Sequence, residues 1–202
     1  SQLVSLMSGV KENETVIDLC AGSGGKSLAI SDLLENIKII ATDININRLN
    51  KIRERALRLK IKNKIVIEKN YKNLNFKADR IICDVPCSGS GAWRRRPEEK
   101  LNLTNNKFEN LLKIQKEILN YGADLVKIGG EIVYITCSIL DNENKDQINY
   151  FLKNNSNFEI VDLQDSWDSI TMSYERFGIE SYCQIVPFIH KCDGFFLARL
   201  VR

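Results

Sequence analysis

The sequence predicts an α/β fold, a doubly wound and mostly parallel Rossmann-like sheet with an antiparallel strand pair at its C-terminal end, and three observations predict it. Apolar runs of strand length alternate with amphipathic runs of helix length along residues 15–154, and crossovers of that kind make neighbouring strands parallel. The first strand passes through a glycine-rich loop into a helix. The last two apolar runs are joined by a turn, which makes them antiparallel.

Residues 15–20 (Thr-Val-Ile-Asp-Leu-Cys) form a short buried strand, followed by Ala21-Gly22-Ser23-Gly24-Gly25-Lys26-Ser27 and a helix to about Leu34. Two phosphate or nucleoside readings of this loop compete, and counting separates them. With Gly25-Lys26-Ser27 fixed, a Walker A loop needs a glycine at position 20, where Cys20 stands, so a P-loop NTPase fails. A Rossmann-type nucleoside loop instead needs glycines for close backbone approach and an acid ending the next strand to hold ribose hydroxyls. Residues 37–42 make that strand and Asp43 ends it, eighteen residues after Gly25 against the roughly twenty expected. Asp43 also suits the N-cap of the next helix, and the two roles are compatible. Lys26 is expected to cap or orient its own loop.

Residues 45–60 place Ile46, Leu49, Ile52, Ala56, Leu57 and Leu59 among arginines and lysines, giving a helix that lies on the sheet with a solvated basic face. Residues 65–67 are a third strand. Asn70 follows it at a loop position where an amide could touch a cofactor base.

Residues 80–97 carry the densest chemistry. Ile81 and Ile82 open a strand that Pro86 stops, so Asp84 and Cys87 arrive at its carboxyl end, the edge where open α/β sheets bind ligands. Arg94, Arg95 and Arg96 follow. Net charge is only +3, so contact with a nucleic-acid backbone rests on this local cluster rather than on the total. Trp93 suits stacking on a base and a local core role equally.

Residues 104–127 form a long helix ended by Gly129-Gly130. Residues 131–136 are a fifth strand running into Cys137-Ser138, which delivers a second cysteine to the edge that holds Cys87. Residues 141–154 form a helix whose start, Asp141-Asn142-Glu143-Asn144, suits a helix N-terminus. Residues 162–181 lack periodicity and suit a surface loop, and residues 184–188 and 194–201 are the closing strands.

An apolar content of 44% suits one domain with a full core. No run of eighteen apolar residues exists and residues 1–10 lack the plan of a signal peptide, so a cytoplasmic location and no membrane partner are expected. The six cysteines contain no Cys-x-x-Cys pair and read as reduced thiols, with Cys20, Cys83, Cys183 and Cys192 expected as small buried hydrophobes. The spacing of Cys83, Cys87, His190 and Cys192 is too loose for zinc, so no metal is expected. His190 suits a hydrogen-bonded turn.

Several motifs together resemble the Sun-type (Fmu-like) RNA cytosine-5 methyltransferases across nearly the whole chain. They are Asp18-Leu-Cys-Ala-Gly-Ser-Gly-Gly-Lys26, Asp84-Val-Pro-Cys-Ser-Gly-Ser-Gly91, Tyr134-Ile-Thr-Cys-Ser138, Glu143-Asn144 and Asp193-Gly-Phe-Phe196. The resemblance implies a class I methyltransferase catalytic domain over residues 1–202, acting as a monomer on single-stranded or loop RNA, with 16S ribosomal RNA as the expected substrate. It implies S-adenosylmethionine as cofactor, held by Cys20, Ala21, Gly22, Ser23, Gly24, Gly25, Lys26, Asp43, Arg48, Asn70 and Asp84. It assigns Cys137 as nucleophile, Cys87 to product release and Asp84 to the target base, with Arg94, Arg95 and Arg96 on the RNA. Three departures stand out. The loop has Gly22-Ser23 where the family usually has Ala-Pro, which implies a looser loop; Asn70 replaces the usual Asp; and the N-terminal RNA-binding region of bacterial members is absent from this chain.

The chemistry explains why two thiols are needed. C5 of cytosine is a poor nucleophile until a thiolate adds to C6 and makes C5 enamine-like. A carboxyl group must share a proton with N3 as charge accumulates there, the C5 proton must leave, and the C6 thioether must then be eliminated. The target base must be flipped out to be reached. A cofactor-binding RNA-interaction module without turnover is the alternative. An adenine N6-methylating enzyme would need an Asn/Asp-Pro-Pro-aromatic motif, which Asp84-Val-Pro-Cys87 does not supply.

Overall fold

A computed structural model describes residues 2–170 and 181–202. Its strands are β1 (Thr15–Asp18), β2 (Lys38–Ala41), β3 (Lys64–Ile67), β4 (Ala78–Asp84), β5 (Val126–Thr136), β6 (Glu159–Ile160), β7 (Tyr182–Ile185) and β8 (Phe195–Val201). They form one sheet in the order β3-β2-β1-β4-β5-β8-β6, with β7 also paired to β8. The pairs among β1 to β5 are parallel, and β8 is antiparallel to β5, β6 and β7. The order turns back between β1 and β4, so the carboxyl ends of these two strands open a crevice. Because β8 is antiparallel, its first residues reach that same edge: Thr136 pairs with Phe196.

The helices are α1 (Gln2–Met7), α2 (Gly25–Leu33), α3 (Ile46–Arg58), α4 (Pro97–Leu101), α5 (Asn105–Leu125), α6 (Lys145–Asn154), α7 (Gln164–Ile170) and α8 (Pro187–His190). Strand alternation sends successive side chains to opposite faces, and helices cover both. Ile17, Ile81, Ile132 and Tyr134 face one core, shared with Leu119 of α5 and Ile148 and Phe151 of α6. Val16, Ile82, Val133 and Ile135 face the other, with Val4 and Met7 of α1 and Trp167 of α7. Each fully buried Ile contributes roughly 1.5–3 kcal/mol, which locks the register that sets the carboxyl ends.

Several expectations are corrected. Gly129-Gly130 does not end a helix: α5 stops at Leu125, β5 begins at once, and Gly129 N–H and Gly130 C=O bond to the backbone of Arg202. Long-range pairing has overridden the local signal. The expected strand at 184–188 ends at Ile185, because Pro187 has no N–H for a ladder and opens α8 instead. The expected loop at 162–181 contains α7, anchored by buried Trp167, while residues 171–180 lie outside the described residues. The cap of α3 is Asn45, whose side chain accepts from Arg48 N–H, and not Asp43. β6, α1 and α4 were not expected; each is short and takes its stability from neighbours.

Candidate active site

The glycine loop is built by backbone bonds that continue the strand pattern: Ala21 N–H reaches Thr42 O and Gly24 N–H reaches Ala21 O. Gly22 N–H donates to Asp43 Oδ2 at 2.7 Å, and Asn45 N–H donates to Asp43 Oδ1 at 2.7 Å. Each oxygen keeps a lone pair, so Asp43 ties the loop to β2 and can still accept ribose hydroxyls. Gly22 has φ +54°, and a Cβ there would run into the Arg48 guanidinium, so Arg48 covers the loop only because the residue is glycine. Arg55 adds a bond to Ser23 O at 2.6 Å. The loop expected to be loose is pinned on three sides.

Behind the loop, Ser27 Oγ donates to Asp18 Oδ2 at 2.6 Å, while Asp18 Oδ1 is buried without a partner among the described residues. Burial first, with Asp84 adding to it, raises the Asp18 pKa to about 6 against the pull of Ser27, Lys26 and the Cys20 backbone N–H. Lys26 does more than orient its loop: its ammonium crosses the switch point and pairs with Asp84 Oδ2.

The chain after β4 and the chain after β5 are tied together. Gly91 N–H donates to Cys137 O at 2.9 Å, and Ser90 Oγ meets Ser138 Oγ at 2.8 Å. A Cβ on Gly91 would collide with the backbone of Gly194, which itself bonds to Gly91 O, so the start of β8 closes over this turn. Cys87 Sγ thereby lies 3.3 Å from Cys137 Sγ. The hydrogen bond shared with Cys87 lowers the Cys137 pKa, aided by Arg96 and Lys26 and opposed by burial and Asp84. The same bond, then burial, raises that of Cys87. The two thiols are thus unequal, Cys137 being the more acidic and Cys87 the less. Burial pushes the thiols of Cys20 and Cys83 up and that of Cys183 up to about 12. Cys192, expected to be buried, is exposed on the connection before β8.

A buried bracket escaped the sequence reading. Glu143 was expected to favour a helix N-terminus; instead the residue turns inward to zero exposure and accepts from Ser88 N–H at 2.7 Å, Ser88 Oγ at 2.5 Å and Gln115 Nε2 at 3.1 Å. Gln115 Nε2 also donates to Pro86 O at 3.0 Å, so residues 86–88 are held on both sides of Cys87. Beside it, Asn144 accepts from Thr136 Oγ1 at 2.6 Å and donates to Ser138 O at 3.0 Å and Gln184 Oε1 at 2.9 Å, fixing the ground under Cys137. The adjacent Glu143-Asn144 pair soon after Ser138 was the available signal; its direction was not.

The arginine cluster is less free than expected. Arg95 pairs with Asp193, and Arg96 with Glu99 at 2.7 Å, while Arg94 is exposed. Trp93 donates to Ser88 O at 3.1 Å and has Lys100 5.6 Å from its ring, so the Trp93 ring supports the Cys87 turn. Asn70 is exposed and caps its own turn, accepting from Lys72 N–H at 3.1 Å. His190 is a hydrogen-bonded residue of α8, as expected. No helix among the described residues is long and apolar enough to cross a membrane.

Comparison with known proteins places this geometry. Residues 6–201 match the family model for 16S rRNA methyltransferase RsmB/F. Ribosomal RNA small subunit methyltransferase B of Shewanella oneidensis is 33% identical over 208 residues, covering 100% of this chain and 46% of that protein. Its counterpart in Pectobacterium atrosepticum is 35% identical over 196 residues, covering 95% and 43%. NSun6 from Pyrococcus horikoshii, solved with SFG, has a TM-score of 0.83 at 27% identity, covering 99% of this chain and 50% of that one. A methyltransferase homolog protein from Pyrococcus horikoshii has a TM-score of 0.79 at 28% identity, covering 99% and 65%. The chain spans about half the length of the curated relatives it matches.

Proposed function

The chain belongs to the 16S rRNA methyltransferase RsmB/F family, and we propose that it transfers a methyl group from S-adenosylmethionine to C5 of a cytosine in RNA, with 16S ribosomal RNA as the substrate. The observation that carries this reading is the pair of sulfurs 3.3 Å apart at the sheet edge, with the Cys137 pKa lowered and the Cys87 pKa raised, beside the Lys26–Asp84 pair. A single nucleophile would need one activated thiol; addition followed by elimination gives a use to two.

The residues present fit the cofactor. A Cβ on Gly25 would point into open space at the start of α2, so a ligand can approach the backbone there, and Asp18 Oδ1 is a buried acceptor left over beside it. We assign Cys20, Ala21, Gly22, Ser23, Gly24, Gly25 and Lys26 to its binding, with Asp43 on the ribose, Arg48 over the loop, Asn70 at the rim and Asp84 at the methyl-donor end. S-adenosylmethionine supplies an electrophilic methyl group when bound. Cys137 adds to C6 of the flipped base, Asp84 with its Lys26 partner shares the proton at N3, and Cys87 assists loss of the C6 thioether after the C5 proton departs. Arg94, Arg95 and Arg96 serve the RNA backbone, the last two after exchanging a carboxylate for a phosphate. Residues 1–202 act as one catalytic domain.

Incubation with labelled S-adenosylmethionine and candidate ribosomal RNA, followed by denaturing gels, tests the assignment. A lasting protein–RNA adduct is expected with Cys87→Ala and none with Cys137→Ala. Full methylation by Cys137→Ala would sink the mechanism, and cofactor binding without methylation by the wild type would favour a binding module.

A further inference from the structure

We infer that Cys87 and Cys137 are a site of reversible oxidation, closing to a disulfide when the protein meets a peroxide. The inference goes beyond methyl transfer; only its consequence for turnover rests on the proposed function. Three observations carry it. The two sulfurs are already 3.3 Å apart, and a disulfide needs them at roughly 2.05 Å, so they have only about 1.2 Å left to close. The two turns are stitched to one another by the Gly91–Cys137 and Ser90–Ser138 bonds and anchored beneath by Glu143 and Asn144, so the thiols are held as neighbours rather than meeting by chance. Cys137 is exposed at the sheet edge, open to a small oxidant, while Cys83 and Cys183 are buried within strands.

The chemistry balances with the peroxide as the only added reactant. The Cys137 thiolate attacks one peroxide oxygen; an S–O bond forms, the O–O bond breaks, and hydroxide leaves and is protonated to water. Cys137 is now a sulfenic acid, oxidised by two electrons, and the peroxide is reduced. The Cys87 sulfur then attacks the Cys137 sulfur; the S–S bond forms, the S–O bond breaks, and a second water leaves carrying the Cys87 proton. A thiol with its pKa raised is a slow attacker in solution, but here it works at contact distance. Dithiothreitol reverses the bond by thiol exchange. Oxidation would spare Cys137 from irreversible sulfinic acid while removing the nucleophile from use.

The test treats the protein with hydrogen peroxide, blocks remaining thiols under denaturing conditions and reads intact mass and linked peptides. The expected result is loss of two of the six free thiols and of about 2 Da, a Cys87–Cys137 peptide, and full recovery with dithiothreitol. Cys87→Ser should leave a Cys137 sulfenic acid that dimedone traps, and Cys137→Ser should form no such link. Folding of both variants is checked by the unchanged unfolding midpoint. Oxidation of Cys137 straight to sulfinic acid in the wild type, or a link that joins Cys192 instead, would overturn the inference. These readouts need no RNA, so a disulfide without methyl transfer would count against the proposed function alone, and methyl transfer with no disulfide against this inference alone.

Discussion

β4 and β5 run side by side through the whole molecule, and their two ends use charge in opposite ways. At the amino edge, Arg80 of β4 pairs with Glu14 at 2.9 Å and with Glu131 of β5, and Glu131 also binds Arg199 at 2.7 and 3.1 Å. Although burial opposes it, Arg199 and Arg80 hold the Glu131 pKa below its ordinary 4.5. At the carboxyl edge the same strands deliver Asp84 and Cys137, and Asp18 keeps a buried oxygen unpaired with its pKa raised to about 6. At the amino edge the buried charges are paired as ions and stabilise the fold; at the carboxyl edge a buried carboxylate oxygen has no hydrogen bond, and unmet groups of that kind are what a ligand can bind.

The largest difference between the edges should appear with Cys137→Ala. Methyl transfer should fall on the order of 10³-fold or more, while the urea midpoint stays put. A matching fall in stability would mean that the thiol is part of the scaffold after all. At the other edge, Arg80→Met strands Glu14 and leaves Glu131 to Arg199 alone, and should cost up to about 3–5 kcal/mol in urea unfolding with cofactor affinity of the folded fraction retained. Lost affinity at unchanged stability would refute the division.

The two edges should also respond oppositely to pH. A raised folded pKa means that ionised Asp18 destabilises: its contribution worsens as pH rises from 3.8 to about 6 and stays unfavourable above. Asp18→Asn should thus stabilise the protein at neutral pH by up to about 3 kcal/mol and flatten that part of the profile, while weakening cofactor binding. Glu131 has the reverse sign: its contribution is full above 4.5 and is lost as pH falls through its lowered folded value, so Glu131→Gln should flatten the acid limb only. A stability profile of Asp18→Asn superimposable on the wild type would show that the carboxyl edge stores no such cost. The smallest effect belongs to Glu143→Gln, which puts an amide against Ser88 N–H and should cost about 1–3 kcal/mol. Its added signature is slower resolution of the RNA adduct, since the Cys87 turn loses its bracket.

Much of this architecture could be written from residue order. Alternation of Val16-Ile17, Ile81-Ile82 and Ile132-Val133 requires a two-faced sheet, the count from Gly25 excludes a Walker loop, and Pro86 stops β4 so that Asp84 and Cys87 stand at its carboxyl end. Local rules of period and turn chemistry suffice for these, because each depends on neighbours in sequence. What they could not supply was every relation that crosses the chain. The 3.3 Å approach of Cys87 to Cys137 spans fifty positions, Glu143 turns inward to Ser88 where its place in the chain suited only a helix N-terminus, and Gly129-Gly130 became strand because Arg202 was there to pair with it. A side chain's partner across the fold is chosen by packing and by the cost of leaving buried polar groups unmet, and those are properties of the assembled molecule.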